Sequence, residues 1–236
     1  MNRHLLLISN STNAGEAYLA WPQQIIADFF KRFGIKRVLF VPYAGVTPGY
    51  DNYAQKVAKV FEAMGVGLDS VHTTPYPVTA VQNAECIVVG GGNTFHLVRE
   101  MQRTGIMEAI REKALQGCPY MGWSAGSNVA CPTIKTTNDM PIVEPESFNA
   151  LNLVPFQINP HYLDANPEGH GGETREDRIR EFMVVNPEVY VAGLREATYL
   201  EVEGNKMTLG GKRKMRLFKA GEEVREIEPG DVSFLL

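Results

Sequence analysis

The chain has 236 residues, 44% of them hydrophobic and 21% charged, which is the balance of an ordinary globular protein. A net charge of -4, with the densest basic stretch confined to residues 212–216, argues against a nucleic-acid-binding surface. No stretch approaches the ~20 apolar residues of a membrane span, and the four apolar residues after His4 are too few for a signal-peptide core. A cytoplasmic protein with no nucleic-acid or membrane partner is therefore expected.

The three cysteines are Cys86, Cys118 and Cys131, an odd number with no C-x-x-C spacing. They are interpreted as buried free thiols, which suit a reducing compartment. The sequence also lacks an H-E-x-x-H motif and any Cys/His cluster. No metal and no organic cofactor is therefore expected.

Short apolar runs alternate with helical periodicity through the first two thirds of the chain. The pattern predicts strands at residues 5–8, 37–41, 86–89 and 119–123, and helices at 19–33, 53–64, from 94 onward and at 107–115. Gly34 and Gly65 are expected to end the first two helices, because glycine accepts the left-handed conformation found there. This order predicts an α/β fold with three layers, a mostly parallel sheet with helices on both of its faces.

The last third of the chain has a different pattern. Short strands are predicted at residues 198–202, 206–209, 216–219 and 224–227, separated by glycine-containing turns. These strands are expected to be antiparallel and to continue the same domain, because no linker-like segment precedes them. Residues 1–236 are therefore predicted to form a single catalytic domain.

Residues 122–126 read GWSAG, a G-x-S-x-G sequence between a predicted strand and a predicted helix. A serine on such a sharp turn exposes its Oγ above the sheet edge, and glycines on either side let the flanking backbones pass closely. Ser124 is therefore the candidate nucleophile. The alternative is a tight turn with an ordinary surface serine.

Three glycines and Asn93 directly follow the strand at residues 86–89. Glycines at this position free the backbone to turn N–H groups toward a ligand. The N–H of Gly91 or Gly92, together with that of Ala125, would form an oxyanion hole. A phosphate cradle is less well supported, since neither G-x-G-x-x-G nor a Walker lysine is present. A glycine turn needed only for packing remains an alternative.

A serine nucleophile needs a base, and His161 is the candidate among five histidines. It follows the apolar run 153–158 and a rigid Asn-Pro step, which indicates a strand end. If that strand is parallel to the others, His161 lies on the same sheet edge as Ser124. His170 lies in a glycine-rich stretch and is a poorer candidate for a fixed base. A structural histidine is the alternative interpretation of His161.

Two carboxylates could orient the imidazole and stabilise its charged form. Asp139 lies in a loop, and Glu196 follows a strand predicted at residues 189–191. The order Ser-Asp-His is that of hydrolase folds, whereas Ser-His-Glu is that of amidotransferase-like folds. The residues alone leave both open.

Several segments in chain order carry a family resemblance: residues 9–12, 42–47, 89–95, 122–126, 131–134, 136–143, 158–161, 167–170 and 172–176. With these segments the chain resembles peptidase E, the α-aspartyl dipeptidase family of serine peptidases with a class I glutamine amidotransferase-like fold. One departure is Ser127, where alanine would be expected.

The resemblance implies Ser124 as nucleophile, His161 as base and a carboxylate as third member, either Asp139 or Glu196. It also implies hydrolysis of the bond after an N-terminal aspartate, through an acyl-enzyme. A short peptide is then the expected partner, and assembly into a homodimer is left open. The alternatives are a related peptidase or esterase of the same fold, and an inactive member that binds small acidic metabolites.

Aspartate selection requires a cation, and Arg175 is the candidate. Residues 174–185 are predicted to form a helix, with Thr174 as N-cap and Asp177 as its capping-box partner. Arg175 lies four residues before Ile179 and extends the inward-facing apolar stripe, although a cation at a helix N-terminus opposes the macrodipole. Arg175 and Asn93 are expected to contact the substrate. The alternative for Arg175 is a structural ion pair.

Overall fold

The computed structural model describes residues 2–166, 168–169 and 171–236. Within them the strands are β1 His4–Ile8, β2 Arg37–Val41, β3 Gly67–Ser70, β4 Ile87–Val89, β5 Tyr120–Trp123, β6 Gln157–Tyr162, β7 Val191–Arg195, β8 Thr198–Glu203, β9 Lys206–Gly211, β10 Met215–Phe218, β11 Arg225–Ile227 and β12 Gly230–Asp231. The α-helices are α1 Gln23–Arg32, α2 Tyr50–Glu62, α3 Pro77–Asn83, α4 Thr94–Arg103, α5 Ile106–Leu115, α6 Ala125–Asn128 and α7 Arg175–Val185. His170, which the sequence disfavoured as a fixed base, lies outside the described residues.

The larger sheet has eight strands in the order β12-β9-β8-β1-β5-β4-β2-β3. Strands β1 to β5 are parallel to one another, and β8, β9 and β12 continue the sheet beyond β1 with antiparallel pairing. Alternate strand residues face opposite sides: Ile8 and Val88 pack with Phe29 of α1, whereas Leu7 and Val89 pack with helices α4 and α5. The predicted three-layer α/β fold, with antiparallel C-terminal strands, is confirmed.

Glycine ends both of the first two helical segments as predicted, with φ of 65° at Gly34 and 76° at Gly65. The periodicity missed β3 and α3, which are short and carry few fully buried side chains. No helix in the described parts of the chain is both long and apolar enough to cross a membrane.

One expectation is corrected by a second sheet of four strands, β11-β10-β7-β6. The strand that carries His161 was predicted to share the sheet of Ser124, but β6 pairs with β7 instead. The strand expected at residues 189–191 is Val191–Arg195, which ends directly before Glu196. The physical reason is that β8 already pairs with the free edge of β1, so β6 and β7 cannot extend the larger sheet there.

The second sheet is joined to the first at the carboxyl ends of the parallel strands. The Ser9 hydroxyl, just after β1, donates to Leu194 O of β7 at 2.7 Å. The Asn128 amide, at the end of α6, donates to Ile158 O of β6 at 2.8 Å. Both side chains are fully buried, so these bonds fix the two sheets against each other.

Candidate active site

Ser124 lies on the turn between β5 and α6 in a strained conformation. Its φ of 53° and ψ of -113° lie outside the regions that non-glycine residues favour. The Ser124 N–H donates to Ile8 O at 3.0 Å and so fixes the turn to β1. A Cβ at Gly122 would lie 2.3 Å from Gly126 O, and one at Gly126 would lie 2.1 Å from Val89 O. The turn therefore requires both glycines of the motif.

Ser127, the departure from the family pattern, stabilises this same turn. Its fully buried hydroxyl lies 2.7 Å from Ile8 O and 2.8 Å from Gly122 O. A buried hydroxyl needs such partners, because burial without them costs free energy. Serine is therefore compatible with the position where alanine was expected.

His161 projects from a bulge in β6. The pairing of β6 with β7 shifts register between Pro160 and Tyr162, and His161 has a φ of 52°. Its backbone N–H donates to the Ser9 hydroxyl at 3.0 Å instead of to a strand neighbour. The bulge turns the imidazole toward the larger sheet, where Nε2 lies 2.9 Å from Ser124 Oγ.

Glu196 contacts the other nitrogen of that imidazole. Its Oε1 lies 2.9 Å from His161 Nδ1. Glu196 stands in the short turn between β7 and β8, and the next N–H, that of Ala197, donates to Asn10 Oδ1 at 2.9 Å. The structure thus aligns Ser124, His161 and Glu196 in one chain of hydrogen bonds, the arrangement in which a carboxylate orients a general base.

Asp139, the other candidate acid, bonds different partners. Its Oδ2 accepts from Thr94 N at 2.7 Å, Thr94 Oγ1 at 2.6 Å and Thr137 Oγ1 at 3.1 Å. Thr94 is the first residue of α4, so this carboxylate satisfies an N–H that the helix leaves unpaired. Asp139 lines the same pocket as Ser124 and His161 without bonding the imidazole.

Asn93 is the N-cap of α4, where its Oδ1 accepts from His96 N at 3.0 Å. Its Nδ2 donates to Met140 O at 2.9 Å. Both ends of the amide are therefore bonded within the protein. The predicted contact of this side chain with substrate stays a prediction.

The glycine loop holds two N–H groups beside the serine. Gly90 N–H donates to Val41 O and Asn93 N–H to Ala44 O, while those of Gly91 and Gly92 donate to no described residue. A Cβ at Gly91 would lie 2.9 Å from Ser124 Cβ, so the loop contacts the serine directly. A third N–H group belongs to Ala125, the first residue of α6, which directly follows Ser124 in the chain. The predicted oxyanion hole, formed by the N–H groups of Ala125 and of Gly91 or Gly92, stays a prediction.

Tyr53 supports the glycine loop from behind. Its hydroxyl donates to Gly91 O at 2.9 Å and accepts from Trp123 Nε1 at 3.1 Å. Burial raises the pKa of Tyr53 to about 12, so the phenol stays protonated and remains a donor. Tyr53, Ser9 and Asn10 are supporting residues that sequence reasoning missed. Ser9 and Asn10 could have been found from the sequence, because they are polar residues that directly follow the buried strand β1, at the sheet edge where binding sites lie.

A pocket of about 350 Å³ opens at the serine. Nine residues line it, including Ser124, Ala125, His161, Asp139 and Arg175. Arg175 reaches it from the first turn of α7, whose predicted capping box is confirmed. The Arg175 Nη1 donates to Asn138 Oδ1 at 2.6 Å, and burial lowers the pKa of its guanidinium.

Among the residues that the structure describes, the lining of the pocket offers no metal-binding arrangement of side chains. In the described ranges, no group of three or more His, Cys, Asp and Glu side chains could hold an ion. The pocket combines the Ser124 hydroxyl, the His161 imidazole and the Arg175 guanidinium.

Comparison with known proteins identifies the family. The model of peptidase family S51 matches residues 5–210. The chain belongs to peptidase family S51. The chain is 52% identical to peptidase E of Nostoc sp., over all of this chain and 98% of that protein. It is 49% identical to peptidase E of Shigella flexneri, over 96% of this chain and 98% of that protein. Membership of family S51 makes the chain a serine-type peptidase.

Two solved structures share the fold. A candidate peptidase E protein from Listeria monocytogenes matches with a TM-score of 0.66 and 25% identity, over 89% of this chain and 98% of that one. A peptidase from an acI-B1 Actinobacterium matches with a TM-score of 0.66 at 16% identity, over 96% of this chain and 98% of that one. The second likeness concerns the fold alone.

Proposed function

We propose that this serine peptidase hydrolyses the bond after an N-terminal aspartate in short peptides, through an acyl-enzyme. The observation that carries the proposal is the hydrogen-bonded chain Ser124–His161–Glu196, which opens into a pocket containing an arginine without an ion-pair partner among the described residues. The peptidase E name of the relatives and the family resemblance of the sequence support the same activity.

The first step is attack by Ser124 Oγ on the carbonyl carbon of the aspartyl residue. His161 Nε2 lies 2.9 Å from Oγ and accepts its proton. Glu196 stabilises the resulting imidazolium through Nδ1. The N–H groups of Ala125 and of Gly91 or Gly92 bind the negative oxygen of the tetrahedral intermediate.

The second step returns the proton from His161 to the leaving amine as the carbon–nitrogen bond breaks. The aspartyl group is then an ester of Ser124. His161 next takes a proton from water, the hydroxide attacks the ester carbonyl, and Ser124 leaves with a proton. One water is consumed, and the products are free aspartate and the shortened peptide.

Arg175 is proposed to bind the side-chain carboxylate of the substrate. Its guanidinium is half-buried, and only one of its N–H groups donates to a described residue. A planar guanidinium binds a carboxylate bidentately, and partial burial strengthens the pair. The bond from Asn138 Nδ2 to Pro160 O, 2.7 Å, links the partner of Arg175 to the strand that carries His161.

The experiment compares Asp-Leu with Asn-Leu and with an acetyl ester in the parent, Arg175→Ala and Arg180→Ala. Arg180 is the control, because it lies on the same helix and pairs with Glu176 at the surface. Arg175→Ala is expected to raise KM and to cut kcat/KM for Asp-Leu by at least ~100-fold, the scale of a lost charge-assisted pair. Strong preference for Asp-Leu over Asn-Leu in that variant would contradict the role of Arg175.

The acyl-enzyme is tested by quenching the parent with acid during turnover of an aspartyl ester. Mass spectrometry is expected to find an aspartyl ester on the peptide that contains Ser124. Esterase activity without any Asp-Leu hydrolysis would instead favour an esterase of the same fold.

A further inference from the structure

A second pocket, of about 410 Å³, is lined by residues of the glycine loop and of the loop that follows β2. Gly91 and Gly92 are among its lining residues, and Gly91 also contacts the Ser124 side chain. The pocket that contains Arg175 reaches the same serine through Ala125 and Thr94. Both pockets therefore adjoin Ser124, and they share no lining residue.

The walls of the second pocket are uncharged. Ten residues line it, and none of them is Asp, Glu, Lys, Arg or His. Two apolar side chains stand at its mouth, Val46 at 44% exposure and Ile142 at 52%. Small-molecule sites are typically concave and lined mainly by apolar side chains, as this pocket is.

Both loops are fixed to the glycine loop by hydrogen bonds. Asn93 N–H donates to Ala44 O at 2.9 Å, which holds the segment that carries Val46. Asn93 Nδ2 donates to Met140 O at 2.9 Å, which holds the segment that carries Ile142. The second pocket is therefore already formed and keeps its position relative to the proposed oxyanion hole.

We infer that this second pocket binds an apolar side chain of the residue that leaves when the bond after aspartate is cleaved. The inference rests on the proposed function, which sends the aspartyl side chain to Arg175 and its carbonyl oxygen to the glycine loop. The leaving residue then extends away from Arg175, toward Val46 and Ile142. An uncharged lining favours leaving residues such as leucine or methionine over acidic ones, because a buried charge there has no partner.

The experiment measures kcat/KM of the parent for Asp-Leu, Asp-Gly and Asp-Lys, and repeats it with Val46→Asp and Ile142→Asp. The parent is expected to prefer Asp-Leu over Asp-Gly by at least ~10-fold, the scale of a few methylenes in an apolar pocket. Each aspartate variant is expected to lower the ratio of kcat/KM for Asp-Leu to kcat/KM for Asp-Lys by at least ~10-fold. The variant loses apolar contact with the leucine and gains electrostatic attraction for the lysine. A ratio within one variant is unaffected by the fraction of enzyme that has folded.

Val185→Asp is the matched control. Val185 is 79% exposed at the last residue of α7, and it lines neither of the two pockets. Its ratio is expected to equal that of the parent within about twofold, as for ordinary surface substitutions. Equal ratios in all four proteins would overturn the inference alone. A parent that cleaves no Asp-Xaa peptide would overturn the proposed function and, with it, this inference.

Discussion

Replacement of Glu196 by glutamine tests which carboxylate acts with His161. Glutamine keeps the size of the side chain and its hydrogen-bonding capacity, so the change removes mainly the negative charge beside Nδ1. Two opposite charges about 4 Å apart attract by ~4 kcal/mol at an effective dielectric of about 20, and by ~1 kcal/mol in bulk water. The side chains of His161 and Glu196 are 38% and 37% exposed, which places the site between these limits.

The charge of Glu196 stabilises His161 most when His161 carries the proton of Ser124. Removal of that charge is therefore expected to lower kcat. At 1.36 kcal/mol per factor of ten, the limit for bulk water corresponds to a loss of kcat of about fivefold, and the limit for a dielectric of about 20 to a loss of about 10³-fold. Partial burial makes a loss of about 10²-fold the expected result. The folded state should be little affected, because an amide can still bond the imidazole.

Asp139→Asn is the paired variant, and it is expected to behave differently. The Asp139 carboxylate bonds Thr94 N, Thr94 Oγ1 and Thr137 Oγ1 at the start of α4. Its charge there interacts with the helix macrodipole by about 0.3–1 kcal/mol. The expected result is a lower melting temperature, with kcat within about tenfold of the parent.

The assay is kcat for Asp-Leu at saturation, combined with thermal unfolding of each variant. Glu188→Gln is the control, because the Glu188 side chain is 94% exposed. A greater loss of kcat in Asp139→Asn than in Glu196→Gln, with an unchanged melting temperature, would contradict the role of Glu196. That outcome would assign the orienting role to Asp139 instead.

Two further predictions concern the nucleophile and the second sheet. Ser124→Ala is expected to lower turnover on the order of 10⁶-fold while circular dichroism stays that of the parent; activity within tenfold of the parent would exclude Ser124 as nucleophile. Hydrogen bonds from Arg195, 2.8 Å and 2.9 Å long, hold the pKa of the Glu226 carboxyl below its ordinary value. The resulting stabilisation is present above the ordinary glutamate pKa and is lost as pH falls through the lowered one. Glu226 is 42% exposed, so Glu226→Gln should cost no more than about 1 kcal/mol, or ~2–4 °C in melting temperature, at pH 7. Thermal unfolding at pH 7 and below pH 4 checks this, and an equal loss at both values would show that the charge is not responsible.

The local parts of this protein could be predicted from sequence. The strand before Ser124, the glycine turn and the capping box of Thr174 with Asp177 depend on residues within a few positions of one another. Periodicity and turn chemistry report such neighbours directly. The α/β order and the antiparallel end of the chain followed from the same patterns, and the structure confirms both.

Whether Glu196 or Asp139 contacts His161 was decided only by tertiary structure. Sequence left both open, because each stands at a plausible edge position. The contact between Glu196 and His161 depends on the second sheet and on the bulge that turns His161. It also depends on hydrogen bonds between residues far apart in the chain. The bond from His161 N to Ser9 spans 152 positions, and the bond from Ala197 N to Asn10 spans 187. Which strands pair over such distances depends on the packing of the whole molecule, and a local sequence pattern contains no information about it.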